Sequence, residues 1–283
     1  MQKKYEFTGE TKECFGRTLH RIRAVRDFTL KSGKKVAKGD LGGWIAKEEN
    51  LSQEGFAWVY GGAKVYGNAN VSDDAQVYGY AEVFGNAVVF SNAEVYGGAR
   101  VFGDARVCGN ACVCDEARVS GDVKVFGDAQ VFDYAWVSGD AKVYGDAKVY
   151  GNAVVFCEAE VYGDAKVCGD ARVYGGARVC GDVEVFGDAR VSGDASIHGD
   201  AEIRNLPDVI WFKNIWSSGR TFTYTRSNGK WTVGCFHGTG EELIKKAYAD
   251  SELSGKCYEA TVKYVEELYK AIEESKKKEE VVA

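Results

Sequence analysis

Apolar residues recur along the chain with a period of six. From Val59 to Ile203 an aliphatic residue fills every sixth position, which gives 25 consecutive hexads. The hexad Val101–Arg106 is typical, with an aliphatic residue, an aromatic or small residue, Gly, Asp or Asn, Ala and a variable polar residue. Because successive side chains of a strand face opposite sides, each Val and the Ala two residues before it point into a core. The Gly-Asp or Gly-Asn pair tolerates positive φ, so each hexad predicts one short strand and one corner.

The spacing of the corners predicts how the repeats assemble. Three corners close a coil of about 18 residues, and stacked coils pair their backbones at about 4.8 Å, so the hexads predict about eight triangular coils. No helix and no loop longer than about six residues is expected between Val59 and Ile203. The V-x-G-[DN]-A-x spacing resembles the hexapeptide-repeat proteins, and this resemblance implies a left-handed parallel β-helix.

The flanking segments lack the six-residue period. Residues 1–58 are predicted to form an N-terminal β cap, because an open β-helix would expose unpaired strand edges. Residues 59–206 form the predicted β-helix, and residues 207–283 a small C-terminal ββαα module. In that module Asn228-Gly229 predicts a hairpin turn, and Thr239–Glu242 predicts a capping box at a helix start. The predicted fold class is therefore mainly β, with a small α+β module at the C-terminus.

Aromatic residues fill many of the outward positions of the repeat. One outward row contains Phe90, Phe126, Tyr144 and Tyr162. Contiguous exposed apolar rows usually mark contact surfaces, although aromatic side chains also stack along β structure without any partner. Both interpretations stay open. The aromatic rows favour a homo-oligomer, either a dimer or a trimer. A predicted helix in the C-terminal module offers a second contact surface, a stripe of Tyr258, Val262, Val265, Tyr269 and Ile272.

Carboxylates form a second outward pattern. One corner row contains Asp128, Asp146, Asp164 and Asp182, and with Tyr144 and Tyr162 it is our candidate interaction surface. Regularly spaced negative charge resembles a phosphate backbone and suits a basic protein surface. The alternative is that Asp serves turn geometry and that neighbouring basic residues offset its charge.

Charge and composition limit the functional classes. The net charge of −6 disfavours general binding to nucleic acid. Glycine occurs 35 times and proline once, which indicates repeated turns and not a linker or collagen-like segment. No signal-peptide pattern and no run of about 18 apolar residues occurs, so we expect a cytoplasmic protein without a membrane span.

Nine cysteines are an odd number, which favours reduced thiols over a disulfide framework. Cys112 and Cys114 would share one side of a strand, with Cys108 nearby in the sequence. A structural zinc site needs about four converging ligands, so we interpret these thiols as filling repeat positions. No metal and no cofactor is predicted.

A second candidate site lies in the C-terminal module. Aromatic rings can stack on a base, while Arg, Lys and His can hold a phosphate. The alternative is that the tryptophans form the core of a small cap. The candidate ligand-binding residues are Trp211, Trp216, Arg220, Tyr224, Lys230, Trp231 and His237.

The flanking segments carry a further resemblance. YEFTGETKE, LHRIRAVRDF, GDLGGWI and ENLS before the repeat and WTVGCFHG after it resemble phage and prophage proteins of gut bacteria, described only as hexapeptide-repeat or acyltransferase-like. This resemblance implies a phage-encoded factor. We therefore expect a non-enzymatic protein that counteracts a bacterial immune system by sequestering a defence protein or a nucleotide signal.

Two other functions remain open. A hexapeptide acyltransferase would use a histidine as general base, and only His20, His198 and His237 are available. None of the three lies on a looped-out excursion of the repeat, which argues against acyl transfer. A structural or adhesive rod fits the repeat but leaves the two caps unexplained.

Overall fold

The computed structural model describes residues 3–216 and 219–282. The N-terminal part contains five strands and a 3-10 turn at Glu48–Asn50. These strands are β1 (Tyr5–Cys14), β2 (Arg17–Ala24), β3 (Phe28–Thr29), β4 (Lys35–Val36) and β5 (Leu41–Ile45).

The repeat forms one short strand in every hexad. Strands β6 to β30 are, in chain order, Trp58–Val59, Lys64–Val65, Asn70–Val71, Gln76–Val77, Glu82–Val83, Val88–Val89, Glu94–Val95, Arg100–Val101, Arg106–Val107, Cys112–Val113, Arg118–Val119, Lys124–Val125, Gln130–Val131, Trp136–Val137, Lys142–Val143, Lys148–Val149, Val154–Val155, Glu160–Tyr162, Lys166–Val167, Arg172–Val173, Arg178–Cys180, Glu184–Val185, Arg190–Val191, Ser196–Ile197 and Glu202–Ile203.

These strands pair in parallel with the strand three hexads away, which produces three flat faces around one core. We name each face after one outward residue. The Trp136 face contains every third strand from β7 to β28, the Tyr144 face runs from β8 to β29, and the Tyr78 face from β6 to β30. The fold is therefore a parallel β-solenoid, and no helix or long loop interrupts the hexads, as predicted.

The core and corners follow the hexad rule. The inward Val or Ile of every hexad and every Ala of the repeat are fully buried, and Val123 and Val183 replace Ala in the same inward slot. Corner glycines have positive φ, and at Gly127 (φ +76°) an added Cβ would lie 2.9 Å from the backbone nitrogen of Gly145 one coil away. Glycine is therefore required there by both conformation and space.

The N-terminal segment adds about one coil to the solenoid. Strand β5 pairs in parallel with β7, with Ile45 opposite Val65, so the parallel stacking begins inside the segment 1–58. The solenoid therefore has about nine turns, against about eight counted from the hexads, because β5 lacks the hexad sequence but adopts the same pairing. Strands β1 and β2 extend the Trp136 face in antiparallel order and cover its edge.

The C-terminal module follows a 3-10 turn at Leu206–Asp208 and contains four antiparallel strands and two helices. They are β31 (Val209–Lys213), β32 (Thr221–Thr225), β33 (Lys230–Val233), β34 (Phe236–Gly238), α1 (Gly240–Asp250) and α2 (Glu252–Val282). The predicted ββαα order is therefore wrong in the number of strands, since the module has four strands and not two. Gly234 (φ +59°) lies in the turn between β33 and β34, so the segment after the Asn228-Gly229 hairpin turn forms two strands.

Two predictions about the helices have opposite outcomes. The Thr239 capping box is confirmed, since its hydroxyl accepts from the backbone N–H of Glu242 and the Glu242 side chain accepts from that of Thr239. The stripe Tyr258–Ile272 does not offer a free contact surface. Val262 and Val265 are buried against the sheet of the same module. An amphipathic stripe marks burial, but only the tertiary structure decides which partner buries it.

Candidate functional site

Aromatic side chains form continuous stacks on the outer faces. On the Tyr144 face the ring of Tyr144 lies 4.7 Å from that of Phe126 and 4.8 Å from that of Tyr162, with nearly parallel planes. Similar stacks begin at Tyr60 and at Tyr66 on the other two faces. The ring faces are thus occupied by neighbouring rings, and only the half-buried edges reach solvent.

Small residues interrupt the aromatic row on all three faces, and on the Tyr144 face Cys108 separates Phe90 from Phe126. On the Trp136 face Ser120 occupies an aromatic position, and the Trp136 indole Nε1 donates to its hydroxyl at 3.3 Å. On the Tyr78 face Cys114 interrupts the stack above Tyr96. The hydrogen-bonding contact between these two thiols, Cys112 and Cys114, is the main cause that raises the pKa of Cys114 and lowers the pKa of Cys112. Within the described residues, no group of three or more His, Cys, Asp or Glu side chains could hold a metal ion.

Two asparagines precede Asp128 in the corner row of the candidate interaction surface. Asn92 donates to Asn110 at 3.1 Å, and Asn110 donates to Asp128 at 2.8 Å. Asp146 and Asp164 continue the row and are exposed. In the described part of the chain no cation lies within ion-pair distance of Asp128, Asp146, Asp164 or Asp182.

The C-terminal sheet places its candidate residues on two opposite sides. Trp211 and His237 share one cross-strand row, and that row faces the last coil of the solenoid. A Cβ added to Gly193 would meet the Trp211 ring at 2.0 Å, so the indole lies directly on that corner. Tyr224 and Trp231 contact each other at 5.0 Å on the other side, where the helices cover them.

The other three candidate residues lie apart from these rows. Trp216 packs edge-on against Tyr258 with ring centroids 6.1 Å apart. Lys230 begins β33, beside the turn after Thr225. Arg220 is exposed at the start of β32. The seven residues therefore do not converge on one pocket, and Trp231, only 1% exposed, belongs to the module core.

Side-chain hydroxyls of the module join it to the end of the solenoid. The backbone N–H of Ser196 donates to Thr223 Oγ1 at 2.9 Å, and that of Glu202 donates to Ser227 Oγ at 2.8 Å. In earlier coils the equivalent N–H groups donate to the next coil. The module thus satisfies backbone donors that the last coil would leave unpaired.

A polar cleft of about 310 Å³ lies at this junction. We call it the junction cleft, and its lining residues are Gly176, Arg178, Asp194, Ser196, Arg220, Thr221, Thr232 and Gly234. Asp194 is paired with Lys213 at 2.6 Å. Arg178 has only a long contact of 3.8 Å to Glu160, and no carboxylate of the described residues pairs with Arg220. The cleft is therefore positively charged in an acidic protein.

A histidine lies beside the junction cleft with both ring nitrogens in contact. His198 Nδ1 is 2.9 Å from Cys180 Sγ, and His198 Nε2 is 2.8 Å from Ser196 Oγ. Burial lowers the pKa of His198, with smaller contributions from His237 and Arg178, so the ring is neutral at pH 7. Burial also raises the pKa of the Cys180 thiol. A neutral thiol can donate to Nδ1, and Nε2–H can then donate to Ser196.

A second cavity of about 350 Å³ adjoins the junction cleft and shares Arg220 and Gly234 with it. Apolar side chains, among them Val233, Leu243 and Tyr258, form part of its lining. The two cavities together provide cationic and hydroxyl groups beside a partly apolar wall, which Lys246 and Asp250 also line. Such a combination is typical of sites for amphipathic anions.

Sequence reasoning identified Arg220 but missed Arg178, Ser196 and Thr232. Arg178 and Ser196 fill the variable position of regular hexads, where polar residues are expected on any solvent-facing side. The replacement of the usual corner Asp by Gly176 is the one sequence signal near them. The glycine at this corner leaves space beside the cleft. The sequence alone does not show that this space is part of a cleft, because the cleft forms only where the C-terminal module lies across the corner.

Residues 165–181 match the family described as YdcK Beta solenoid repeat. This match agrees with the repeat architecture and includes Gly176 and Arg178 of the junction cleft. No protein of curated function is similar enough to this chain to count as a match. Among the helices that the structure describes, none has the length and apolar character to cross a membrane.

Proposed function

We propose that this protein is a non-enzymatic binding protein that captures a phosphorylated small molecule, such as a nucleotide signal, in the junction cleft. The observation that carries the proposal is the meeting of Arg178 and Arg220 in one cleft of a chain with net charge −6. Guanidinium groups bind phosphate oxygens through paired hydrogen bonds, and Ser196, Thr221 and Thr232 supply hydroxyl donors beside them. The apolar part of the adjoining cavity suits a base or another flat ring.

Capture without reaction fits the environment of His198. Both of its nitrogens are in contact with other side chains of the same chain, which leaves it a rigid hydrogen-bonding group beside the cleft. The resemblance to phage proteins suggests the biological role. A phage-encoded protein in the host cytoplasm would protect the phage by removing a signal of the bacterial immune system, one ligand for each cleft.

Calorimetric titration with a panel of cyclic and linear nucleotides tests this proposal. We expect saturation at one ligand per chain, and a loss of affinity of at least about 100-fold in Arg178→Ala or Arg220→Ala, since charged hydrogen bonds to phosphate contribute about 1.5–3 kcal/mol each. Arg172→Ala is the matched control, because Arg172 is an exposed arginine on another face. If the two arginine variants bound nucleotide as tightly as the wild type, the junction cleft would be refuted as the binding site. If no nucleotide binds, capture of a nucleotide signal is refuted, and co-purification from cells with a defence system would then test sequestration of a defence protein.

Acyl transfer is the second candidate function, and one contact favours it. A hydroxyl within hydrogen-bond distance of a histidine is the arrangement of an activated nucleophile, and Ser196 has it with His198. Incubation with labelled acyl-CoA and amino-sugar acceptors separates the two functions. Turnover that disappears in His198→Ala would replace capture by catalysis, whereas binding without turnover supports capture. A structural rod would show neither activity.

A further inference from the structure

Three parallel stripes cover the Tyr144 face. The basic stripe lies before the inward Val, the aromatic stripe after it, and the acidic stripe at the following corner. The basic stripe contains Arg106, Lys124, Lys142, Glu160 and Arg178, the aromatic stripe Phe126, Tyr144 and Tyr162, and the acidic stripe Asp128, Asp146, Asp164 and Asp182.

Like charges are neighbours inside the basic stripe. Lys124 lies directly opposite Arg106 on one side and Lys142 on the other, an arrangement that destabilises a sheet. Glu160 offsets Lys142 at 2.7 Å and contacts Arg178 at 3.8 Å. Arg106 and Lys124 have no carboxylate within ion-pair distance in the described part of the chain.

The acidic stripe has the opposite imbalance, since its four carboxylates also lack ion-pair partners among the described side chains. The two stripes run side by side along the same coils, and the aromatic stripe separates them. The side chains of one copy therefore do not neutralise this face. A surface with the stripes in reverse order would bring carboxylates to Lys124, Lys142 and Arg178, whereas Glu160 would face Asp164.

We propose that a second copy of this chain supplies that surface, with a twofold axis parallel to the solenoid axis. Rotation about this axis places the basic stripe of each copy on the acidic stripe of the other and keeps the aromatic stripes together. Lys124 then faces Asp128 of the partner subunit, and Lys142 faces Asp146 of the partner subunit. The facing residues lie at the same height along the solenoid axis, because both stripes repeat once in every coil. A twofold axis perpendicular to the solenoid axis would instead place the basic stripe of one copy on the basic stripe of the other. The charge pattern therefore favours the dimer in which the two solenoid axes are parallel.

The composition of the face agrees with an interface. Aromatic edges lie at its centre and charged side chains at its rim, which is the usual anatomy of a protein–protein contact. The other faces lack this order. On the Trp136 face Trp136 and Val154 occupy the positions of basic residues, and on the Tyr78 face Tyr134 and Asn152 interrupt the corner row of carboxylates. This inference does not depend on a ligand in the junction cleft.

Charge reversal tests the pairing. One variant carries Lys124→Glu and Lys142→Glu, the other Asp128→Lys and Asp146→Lys. The matched control is Lys148→Glu with Lys166→Glu on the Tyr78 face, where Lys166 pairs with Glu184 at 2.6 Å much as Lys142 pairs with Glu160. Analytical ultracentrifugation gives the mass of each sample, and circular dichroism confirms that each is folded.

The wild type and the control are expected at twice the chain mass of 30.9 kDa. Each variant alone should weaken self-association at least about 100-fold, because like charges then face each other across the interface. An equimolar mixture of the two variants should recover the dimer, since at the two reversed coils one variant presents acidic residues in both stripes and the other presents basic residues in both stripes. A monomeric wild type, or variants that still dimerise, would overturn the proposal.

Zero-length cross-linking tests the orientation. A mixture of isotopically labelled and unlabelled protein should give Lys142–Asp146 links between the two isotopes, as the parallel axis requires. Links between the labelled and unlabelled forms that involve only distant coils would contradict that axis. Loss of nucleotide binding would leave these results unchanged, because none of the reversed residues lines the junction cleft.

Discussion

Between Val59 and Ile203, small aliphatic residues at fixed intervals fill the core of the solenoid, whereas the core of the C-terminal module combines aromatic and larger aliphatic residues from its strands and helices. Each coil contacts only its neighbours, so its core residues share nearly the same environment. The module has one core in which each residue has a different role. The comparison teaches that uniform repeats provide rigidity, while clefts form where an unlike surface meets the last coil.

The largest expected effect comes from charge in the uniform core. Val155→Asp places a carboxylate among Val and Ala side chains without a partner, and we expect it to unfold the solenoid, because an unpaired buried charge costs several kcal/mol or more. Val154→Asp is the control, since the adjacent Val154 faces outward in the same strand. Thermal unfolding followed by circular dichroism compares the two. A folded Val155→Asp protein would contradict the core assignment.

A smaller, local effect is expected in the module. Trp231→Ala removes a ring that is 1% exposed and should destabilise the module by about 3–5 kcal/mol. Since the solenoid core does not include this residue, hydrogen exchange should increase in residues 221–272 and remain slow in residues 59–203. Equal loss of protection in both regions would show that solenoid and module unfold as one unit.

The N-terminal end offers a pH-dependent test. Lys4 is fully buried, and its Nζ donates to Ala57 O at 2.8 Å and to Glu54 O at 3.2 Å. Burial lowers its pKa to about 7 from 10.5. Between these values the unfolded chain binds the proton and the folded chain does not, so the free energy of unfolding should rise with pH, by at most about 1.4 kcal/mol per unit.

Lys4→Met should remove this pH dependence and leave the fold intact. Denaturant unfolding of both proteins between pH 7 and 9.5 measures the difference. The lysine makes no such contribution below pH 7, where both states are protonated. Parallel pH profiles of the two proteins would show that Lys4 keeps its proton when folded.

The smallest expected effect concerns a single corner. Gly127→Ala introduces a Cβ at positive φ and close to the next coil, and should cost about 1–3 kcal/mol. Gly229→Ala is the control for conformation alone, because it also has positive φ but no atom within 4 Å of the added Cβ. If thermal unfolding shows a greater loss of stability in Gly127→Ala than in Gly229→Ala, the difference measures the cost of the close contact with the next coil. Equal losses would mean that backbone conformation accounts for the whole effect.

The sequence alone determined the solenoid. The six-residue period of Val and Ala, with Gly at the corners, predicted the inward residues, the corners and the absence of interruptions, because each hexad depends only on local alternation and on its neighbours in the stack. The same local reasoning predicted the helix start at Thr239. It could not count β5 as part of the first coil, because Leu41–Ile45 has the pairing of the repeat without its sequence pattern.

The tertiary structure decided the junction cleft and the role of the helical stripe. Arg178 and Ser196 look like any outward hexad residues, and Arg220 and Thr232 look like any strand residues of a small domain. They line one cleft only because Thr223 and Ser227 attach the C-terminal sheet to the last coil. Contacts between segments far apart in the chain have no local period, so the positions that define the site could be read only from the folded molecule.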